Sequence, residues 1–280
     1  MARPHIDFLQ VQNLAWALGL GDGRADAWVR TLSHDSVTGA LSALVRYPAG
    51  WNRTTPEHLT VDEEIYVLDG SIEIDGLRYR TDTYAYLPAG LVRRQAASPE
   101  GAVVLTFFSG APETKRGSGL VADRRKWIGR IDPYLGTWDP GPQGIAVDAE
   151  LKAGARIKPL HRDPTTGAET FLLGFVPVWR DERILKTATD LEVYLLSGDC
   201  AQMRTGLMRS GAYAFRPAGT EFGPTGSLTP SVFLVRTSGG SYGVTEVARG
   251  VVEFRPRHSP ILPAALARFA QAAPAANPAW

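Results

Sequence analysis

A histidine and a glutamate in the first quarter of the chain have types and a spacing that suggest chemistry. His58 and Glu63 occur in the pattern Gly50, five residues, Pro56, one residue, His58, four residues, Glu63, six residues, Gly70. Imidazole and carboxylate groups both bind metals and both carry protons. A protein-bound transition metal usually needs three or four N, O or S donors at about 2.0–2.3 Å. The motif supplies only two, so metal chemistry and acid–base chemistry both remain open.

The composition excludes several classes of function. The 30 Lys and Arg residues balance 29 Asp and Glu, so no net charge draws the chain to nucleic acid or to an anionic membrane. No stretch approaches the roughly 18 uninterrupted apolar residues of a membrane span. The single Cys200 cannot form an internal disulfide, and residues 1–10 lack an apolar run of signal-peptide length. We therefore expect a cytoplasmic protein that acts on a small molecule.

Short apolar runs between turn residues predict a mostly β chain. The chain has 29 Gly and 20 Pro, and Asp69-Gly70 and Asp75-Gly76 are dipeptides typical of hairpin turns. Aromatic and β-branched runs of strand length occupy residues 66–68, 84–87, 103–108, 193–196 and 232–235. A helix is predicted only near the C-terminus, at residues 263–273, which are rich in Ala, Leu and Arg.

An internal repeat with a period near 128 residues predicts two domains of one fold. Its clearest element is an Asp-x-x-Thr-Gly-Ala segment, which begins at Asp35 and again at Asp163. Further matches pair residues 29–51 with 157–179, 64–70 with 192–198, and 84–90 with 213–219. A repeat of this length indicates a domain duplication. We expect domains at 1–118 and 119–255, followed by a C-terminal helix and tail at 256–280.

These motifs resemble the cupin superfamily, whose first motif carries two histidines and a glutamate between two glycines. The doubled arrangement is similar to a bicupin, and the Asp-x-x-Thr-Gly-Ala segments are similar to those of the ChrR-like cupins. The resemblance implies an all-β fold of two tandem cupin barrels, each a double-stranded β-helix or jelly roll, with a short C-terminal helix. A closed antiparallel barrel has no free edges and leaves a mouth that faces a ligand.

The resemblance places the metal ligands of the first barrel at Pro56, His58, Glu63 and Arg93. Proline has no side-chain donor, and arginine stays protonated with no lone pair to offer. A guanidinium beside a cation also adds repulsion on the order of several kcal/mol inside a low-dielectric barrel. We therefore expect no cofactor. The alternative is one divalent transition metal in the N-terminal barrel, bound by His58 and Glu63.

The same residues have a metal-free interpretation. Glu63 orients the imidazole of His58, which moves a proton as general acid or base. Arg93 then holds a carboxylate or a developing oxyanion. The alternative is that these three catalytic candidates form a purely structural salt-bridge network. Five aromatic residues either line the cavity as substrate-binding residues or fill the barrel as core, namely Tyr47, Trp51, Tyr66, Tyr84 and Tyr86.

The corresponding positions of the second barrel are Ile184, Lys186, Leu191 and Phe222. Three of the four are apolar, which predicts a barrel refilled with side chains that serves packing, solubility or dimerisation. A lysine buried in such a barrel is a candidate nucleophile, although a lysine head group more often extends to solvent.

Three functions follow from these alternatives. The leading hypothesis is a metal-independent enzyme that acts on a small organic molecule by acid–base chemistry, as an isomerase, lyase or dehydratase, cyclase or hydrolase. The second is a metal-dependent dioxygenase of the quercetinase or diketone-cleaving kind. The third is a non-enzymatic small-molecule-binding cupin. Each takes a small, aromatic or carboxylate-bearing ligand, without nucleic acid or membrane, and the resemblance adds homodimerisation as an expectation.

Overall fold

The computed structural model describes residues 3–19, 24, 26–117, 122–135, 152–270 and 280. Within these ranges the regular secondary structure is almost entirely β-strand, which confirms the all-β prediction. The strands before the central gap are β1 (Ile6–Gln10), β2 (Ala17–Leu18), β3 (Trp28–His34), β4 (Leu41–Tyr47), β5 (Trp51–Arg53), β6 (Glu57–Leu59), β7 (Glu63–Ile74), β8 (Leu77–Arg80), β9 (Tyr84–Leu87), β10 (Ala96–Ser98), β11 (Ala102–Phe108), β12 (Thr114–Arg116) and β13 (Ile128–Ile131).

After the gap the strands are β14 (Ala155–Arg162), β15 (Glu169–Phe175), β16 (Trp179–Asp181), β17 (Arg183–Thr187), β18 (Asp190–Ser197), β19 (Asp199–Gln202), β20 (Gly206–Arg209), β21 (Ala212–Arg216), β22 (Glu221–Phe222), β23 (Thr225–Ser227), β24 (Ser231–Ser238) and β25 (Val244–Arg249). Two short 3-10 helices are Val11–Asn13 and Ala264–Phe269. The second lies within the helix predicted at 263–273, of which residues 271–273 fall outside the described ranges. None of the helices described is long and apolar enough to cross a membrane.

The first compact unit comprises Arg3, Trp280 and the described residues between 14 and 135. Its main antiparallel sheet has the strand order β13-β9-β7-β11-β4-β3-β2, joined by β5, β8 and β10, and β6 pairs separately with β12. Side chains alternate between the two faces of a strand. Ile65 and Val67 of β7 therefore enter the apolar core together with Ala85 and Leu87 of β9. Glu63 keeps the same period along β7, so its carboxylate enters the same interior.

The second compact unit comprises residues 4–13 and the described residues from 152 to 270. One sheet has the order β1-β21-β18-β24-β15-β14, a second β16-β23-β19-β20, and a third β22-β17-β25. Leu191, Val193 and Leu195 of β18 point into its core, as do Ala212 and Ala214 of β21. Both units thus show the period-2 pattern of half-buried antiparallel strands.

Two short strands, β1 and β13, belong to the opposite unit from the one that the predicted domain boundary gave them. In the structure β1 pairs with β21 of the second unit, where Gln10 lies opposite Ala212 and the backbone N–H of Asp7 donates to the carbonyl of Ile261 at 3.0 Å. Strand β13 pairs with β9 of the first unit. The domains drawn at 1–118 and 119–255 therefore differ from the structural units at both ends. Strand addition uses backbone hydrogen bonds, which leave no mark in a side-chain pattern.

The repeated Asp-x-x-Thr-Gly-Ala segment forms the same turn in each unit. The Asp35 carboxylate accepts two backbone N–H groups that follow it, at 2.8 and 3.1 Å, and Asp163 does the same at 2.7 and 2.9 Å. Gly39 and Gly167 have φ angles of +73° and +72°, in the left-handed region that favours glycine. The motif is therefore a hairpin-turn signature, set by Asx hydrogen bonding and by glycine.

Candidate functional site

Glu63 lies at the centre of the first unit's polar interior. Its side chain is 1% exposed and sits between two arginines. Arg24 binds it in a bidentate manner, with Nη1 2.8 Å from Oε1 and Nη2 2.9 Å from Oε2. Arg93 Nη1 donates to Oε2 at 2.5 Å, and the hydroxyl of Thr106 donates to Oε1 at 3.1 Å. Both carboxylate oxygens are therefore occupied by donors from the protein itself.

This environment holds Glu63 in its charged form. Burial alone would raise the pKa of the carboxyl, because a buried charge loses its hydration. The charges of Arg24 and Arg93 and their hydrogen bonds outweigh that effect and lower the pKa of Glu63 to about 2. Glu63 therefore stays ionised at neutral pH and does not exchange protons there.

A third arginine adds a positive charge beside this pair. Arg53 Nη1 forms an ion pair with the carboxylate of Glu57. Burial, followed by the charges of Arg93 and Arg24, lowers the pKa of Arg53 to about 10. Three guanidinium groups thus meet two carboxylates, so the cluster carries a surplus of one positive charge.

Several guanidinium donors in this cluster have no acceptor. Nε and Nη2 of Arg53 and Nε of Arg93 are buried and form no hydrogen bond with any residue that the structure describes. Both side chains line a small cavity of about 20 Å³ in the first unit. The other polar and aromatic side chains around it are Arg24, Tyr47, Trp51 and Glu63. A buried donor without an acceptor is unfavourable, so this cavity is a place where an anion would be stabilised.

His58 does not join Glu63 in the structure. Its ring is 3% exposed, and Nδ1 lies 2.9 Å from the carbonyl oxygen of Gly117. Because a carbonyl only accepts, Nδ1 carries the proton of the neutral ring and Nε2 carries the lone pair. His58 is central in β6, and its neighbour Glu57 points to Arg53, so the alternation of the strand turns the imidazole the other way. The predicted His58–Glu63 hydrogen bond is therefore absent from the described chain, whereas the predicted closeness of Glu63 and Arg93 is present.

The five predicted aromatic residues divide between two faces of the sheet. Tyr47 and Trp51 line the cavity, with ring centroids 4.6 Å apart. The sequence left the other three open between lining the cavity and filling the barrel, and they are not among the residues that line this cavity. Their hydroxyls donate to carboxylates on the opposite face, from Tyr66 to Asp82 at 3.0 Å, from Tyr84 to Glu64 at 2.7 Å and from Tyr86 to Asp62 at 2.7 Å. They differ from the inward positions by one residue along each strand, which moves a side chain to the other face.

The donor set does not fit a metal ion. The resemblance assigns Glu63 as a ligand, yet a cation there would have to displace two guanidinium groups and a hydroxyl from its oxygens. Pro56 and Arg93 offer no lone pair at the two remaining positions of that ligand set. Across the part of the chain that the structure describes, no three His, Cys, Asp or Glu side chains group together as a metal site would require.

The second unit retains an open interior. Of the four equivalent positions, Ile184 is buried, Leu191 and Phe222 line a cavity of about 90 Å³, and Lys186 is exposed. The prediction that side chains refill this barrel was therefore wrong, although its apolar character was right. Lys186 is exposed to solvent and does not line the cavity, which gives no support to its role as a buried nucleophile.

Sequence reasoning missed the residues that partner Glu63 and line the cavities. Arg24 lies outside every motif, and only its position in the fold brings it to Glu63. Arg53 lies inside the first motif, so the sequence alone could have indicated an additional positive charge beside the site. Arg216 occupies the repeat position of Leu87, and that replacement of an inward apolar residue was also visible.

Comparisons with known proteins agree with this architecture. Residues 7–112 match the profile of a family described as the ChrR Cupin-like domain. A solved structure from Nostoc punctiforme PCC 73102, described as a candidate dioxygenase, has a TM-score of 0.76 at 19% identity and covers 89% of this chain and 92% of its own. Residues 7–112 therefore carry a ChrR Cupin-like domain, and the fold of the whole chain is that of a bicupin. A search of curated protein sequences found no match.

Other solved structures share the bicupin fold at lower similarity. A variant of oxalate decarboxylase from Bacillus subtilis has a TM-score of 0.54 at 12% identity, covering 86% of this chain and 79% of its own. Vicilin from Corylus avellana has a TM-score of 0.52 at 10% identity, covering 85% and 86%. At these identities the similarity concerns the fold alone, which an enzyme and vicilin share.

Proposed function

We propose that this bicupin is a metal-independent protein that binds a small organic anion in its first barrel. The observation that carries the proposal is the set of buried guanidinium N–H groups of Arg53 and Arg93 that have no acceptor beside the cavity. In the proposed complex a carboxylate accepts from these groups and neutralises the surplus positive charge. Charge-assisted hydrogen bonds of this kind are among the stronger ones in proteins.

The size of the cavity limits the ligand. A single water needs on the order of 10 to 15 Å³ of such volume. A cavity of about 20 Å³ between Tyr47 and Trp51 and the arginines therefore suits an anion of very few heavy atoms. Formate and oxalate are suitable probes, and the name of the Bacillus subtilis neighbour, oxalate decarboxylase, supports the choice of a small carboxylate.

Acid–base catalysis on the same molecule is the second candidate. The supporting observation is His58, whose Nδ1 is held by the Gly117 carbonyl so that Nε2 is the basic atom of the neutral ring. Glu63 does not take the role of proton carrier that the sequence suggested, because Arg24 and Arg93 keep it ionised. In this candidate His58 moves the proton, and Arg53 and Arg93 hold the anion.

Titration calorimetry with formate and oxalate tests the binding proposal. The decisive variant is Arg53→Gln combined with Glu57→Gln, because it removes the ion pair without leaving either charge buried alone. We expect oxalate affinity to fall at least tenfold in this variant. Arg78→Gln changes an exposed arginine in the same unit and should leave affinity unchanged. Equal binding by the double variant and the unmodified protein, or no binding of either anion, would contradict the proposal.

Turnover separates the two candidates. Formate, oxalate and other short carboxylates incubated with the protein should be recovered unchanged if binding is the whole function. Loss of substrate by the unmodified protein, abolished in His58→Ala and retained in Arg78→Gln, would establish the acid–base candidate instead.

A further inference from the structure

The larger cavity of the second unit lies outside the proposed function. Its volume is about 90 Å³, several times the roughly 10–15 Å³ that one water needs. Its walls are mostly apolar and include Leu173, Phe175, Leu191, Val193, Phe233 and Val235. A mostly apolar space of this size suits an apolar ligand group.

One buried cation faces this apolar space. Arg216 ends β21, is 5% exposed and lines the cavity. It shares the inward face with Ala212 and Ala214, two members of the core. Its guanidinium lies 5.1 Å from the ring centroid of Phe222. In the parts of the chain that the structure describes, no hydrogen-bond acceptor or carboxylate pairs with it.

The other cations that line the cavity are already neutralised. Lys152 forms an ion pair with Glu182. Arg183 forms a bidentate pair with Asp181, in which Nη2 lies 2.8 Å from Oδ2. Arg216 is thus distinguished from these two by the lack of an acidic partner among the described residues. Asp7 is near enough to interact with its charge but uses its carboxylate on His5 and on the backbone of Ile261.

The internal repeat allows Arg216 to be compared with the equivalent position of the first unit. In the first unit Glu63 of β7 lies opposite Leu87 of β9. In the second unit the equivalent pair is Leu191 of β18 opposite Arg216 of β21. The charged member of the pair is thus on β7 and negative in the first unit, but on β21 and positive in the second. In the first barrel the interior carboxylate pairs with protein arginines, whereas in the second no carboxylate of a described residue pairs with the interior arginine.

We propose that the second barrel binds an aliphatic monocarboxylate of about four to six carbons, whose carboxylate pairs with Arg216 and whose chain fills the apolar cavity. The guanidinium keeps its positive charge, and a charge with little exposure and no carboxylate partner among the described residues is stabilised by an anionic ligand. An engineered cavity of about 150 Å³ holds a benzene ring, so this smaller space fits a short, branched chain better than an aromatic ring.

Calorimetry on the full chain with isovalerate tests this proposal. Isovaleramide has the same shape without the charge and should bind at least tenfold more weakly. Acetate and octanoate bracket the chain length and should also bind more weakly than isovalerate. Equal binding of isovalerate and isovaleramide, or no binding of any of these four probes, would overturn the proposal.

Two variants locate the site. Arg216→Leu installs the residue of the first barrel at this position and should lower isovalerate affinity at least tenfold while isovaleramide binding persists. Arg209→Leu changes an exposed arginine of the same unit and should change neither. Val193→Phe keeps the cation but fills the cavity, and should abolish binding of both probes even if Arg216→Leu fails to fold. Unchanged isovalerate affinity in Val193→Phe would place the binding elsewhere and overturn the proposal.

The two barrels are tested independently. The Arg53→Gln and Glu57→Gln double variant should leave isovalerate affinity unchanged, because both residues lie in the first unit. Loss of oxalate binding alone therefore concerns the first barrel, and loss of isovalerate binding alone concerns the second.

Discussion

Arg93 donates to the carboxylate of Glu63 at 2.5 Å, at two positions where a metal-binding cupin would place two ligands of the same ion. Arg24 binds the same carboxylate through both of its oxygens. A guanidinium carries its positive charge without needing lone pairs from the protein. Protein donors therefore hold both oxygens of Glu63, whereas a metal ligand needs a free lone pair.

The ion-pair cluster is expected to be essential for the stability of the first unit. Glu63→Gln leaves Arg24 and Arg93 without their counter-charge in a buried site, and removal of one partner of a buried pair destabilises by about 3–5 kcal/mol. Denaturant unfolding monitored by tryptophan fluorescence measures this loss. Glu73→Gln removes a partly exposed carboxylate from the same strand and should change stability by less than about 1 kcal/mol. Similar stability of the two variants would contradict a central role for the cluster.

Stability should fall in acid because the pKa of Glu63 is lowered in the folded state. A carboxyl with a depressed folded pKa stabilises the protein above its unfolded pKa and loses that contribution as the pH falls through the folded value. For Glu63 the window runs from about 4.5 down to about 2. The urea midpoint of the first unit should therefore decrease between pH 5 and pH 2.5. In Glu63→Gln this decrease should be smaller, and an identical pH profile in both proteins would refute the assignment.

Metal should be absent at stoichiometric levels after expression with added Mn, Fe, Ni or Zn. The reason is the donor set, because both oxygens of Glu63 are held by Arg24, Arg93 and Thr106. Elemental analysis should find well under one metal per chain, and chelation should leave the melting temperature unchanged. About one metal per chain that is lost in both His58→Ala and Glu63→Gln would reinstate the metal-dependent dioxygenase.

The two copies of the glycine turn should respond differently to one substitution. Gly39→Ala and Gly167→Ala both place a side chain at a φ above +70°, which is unfavourable for alanine by about 1–2 kcal/mol. A Cβ at position 39 would also lie 2.6–2.9 Å from atoms of Ala111, whereas at position 167 the nearest atom is 3.9 Å away. Gly39→Ala should therefore be the more destabilising in thermal unfolding. If Gly167→Ala were instead the more destabilising, the backbone around Ala111 would have to shift at little cost in free energy.

The N-terminal strand should stabilise the second unit. Phe8 is 1% exposed and belongs to the core cluster of that unit, so Phe8→Ala should cost about 3–5 kcal/mol there. Hydrogen exchange should increase in residues 206–238 and remain unchanged in residues 26–117. Val29→Ala, in the core of the first unit, is the matched control with the opposite pattern. Increased hydrogen exchange of residues 26–117 in Phe8→Ala would contradict the assignment of β1 to the second unit.

The cationic character of the first barrel was only partly visible before the fold was known. The closeness of Glu63 and Arg93 was expected, because the cupin resemblance assigns both positions to one ligand set and thus to one place in the barrel. Arg24 could not be foreseen, because it lies 39 residues from Glu63 in a segment without a motif. The orientation of His58 depended on which edge its short strand uses, and pairing of β6 with β12 turned its ring to Gly117.

The sequence alone determined the β class and the duplicated unit, and it showed that Pro56 and Arg93 have no lone pair to offer at two motif positions. These properties follow from local periodicity, from turn residues such as Gly39 and Gly167, and from which side chains possess donor atoms. Only the tertiary structure decided that Arg24 binds both oxygens of Glu63 and that β1 belongs to the second unit. It also decided that Arg216, which has no carboxylate partner among the described residues, lines a mostly apolar cavity. Such features depend on contacts between residues far apart in the chain and on the space left after packing, and neither quantity is encoded in any single stretch of residues.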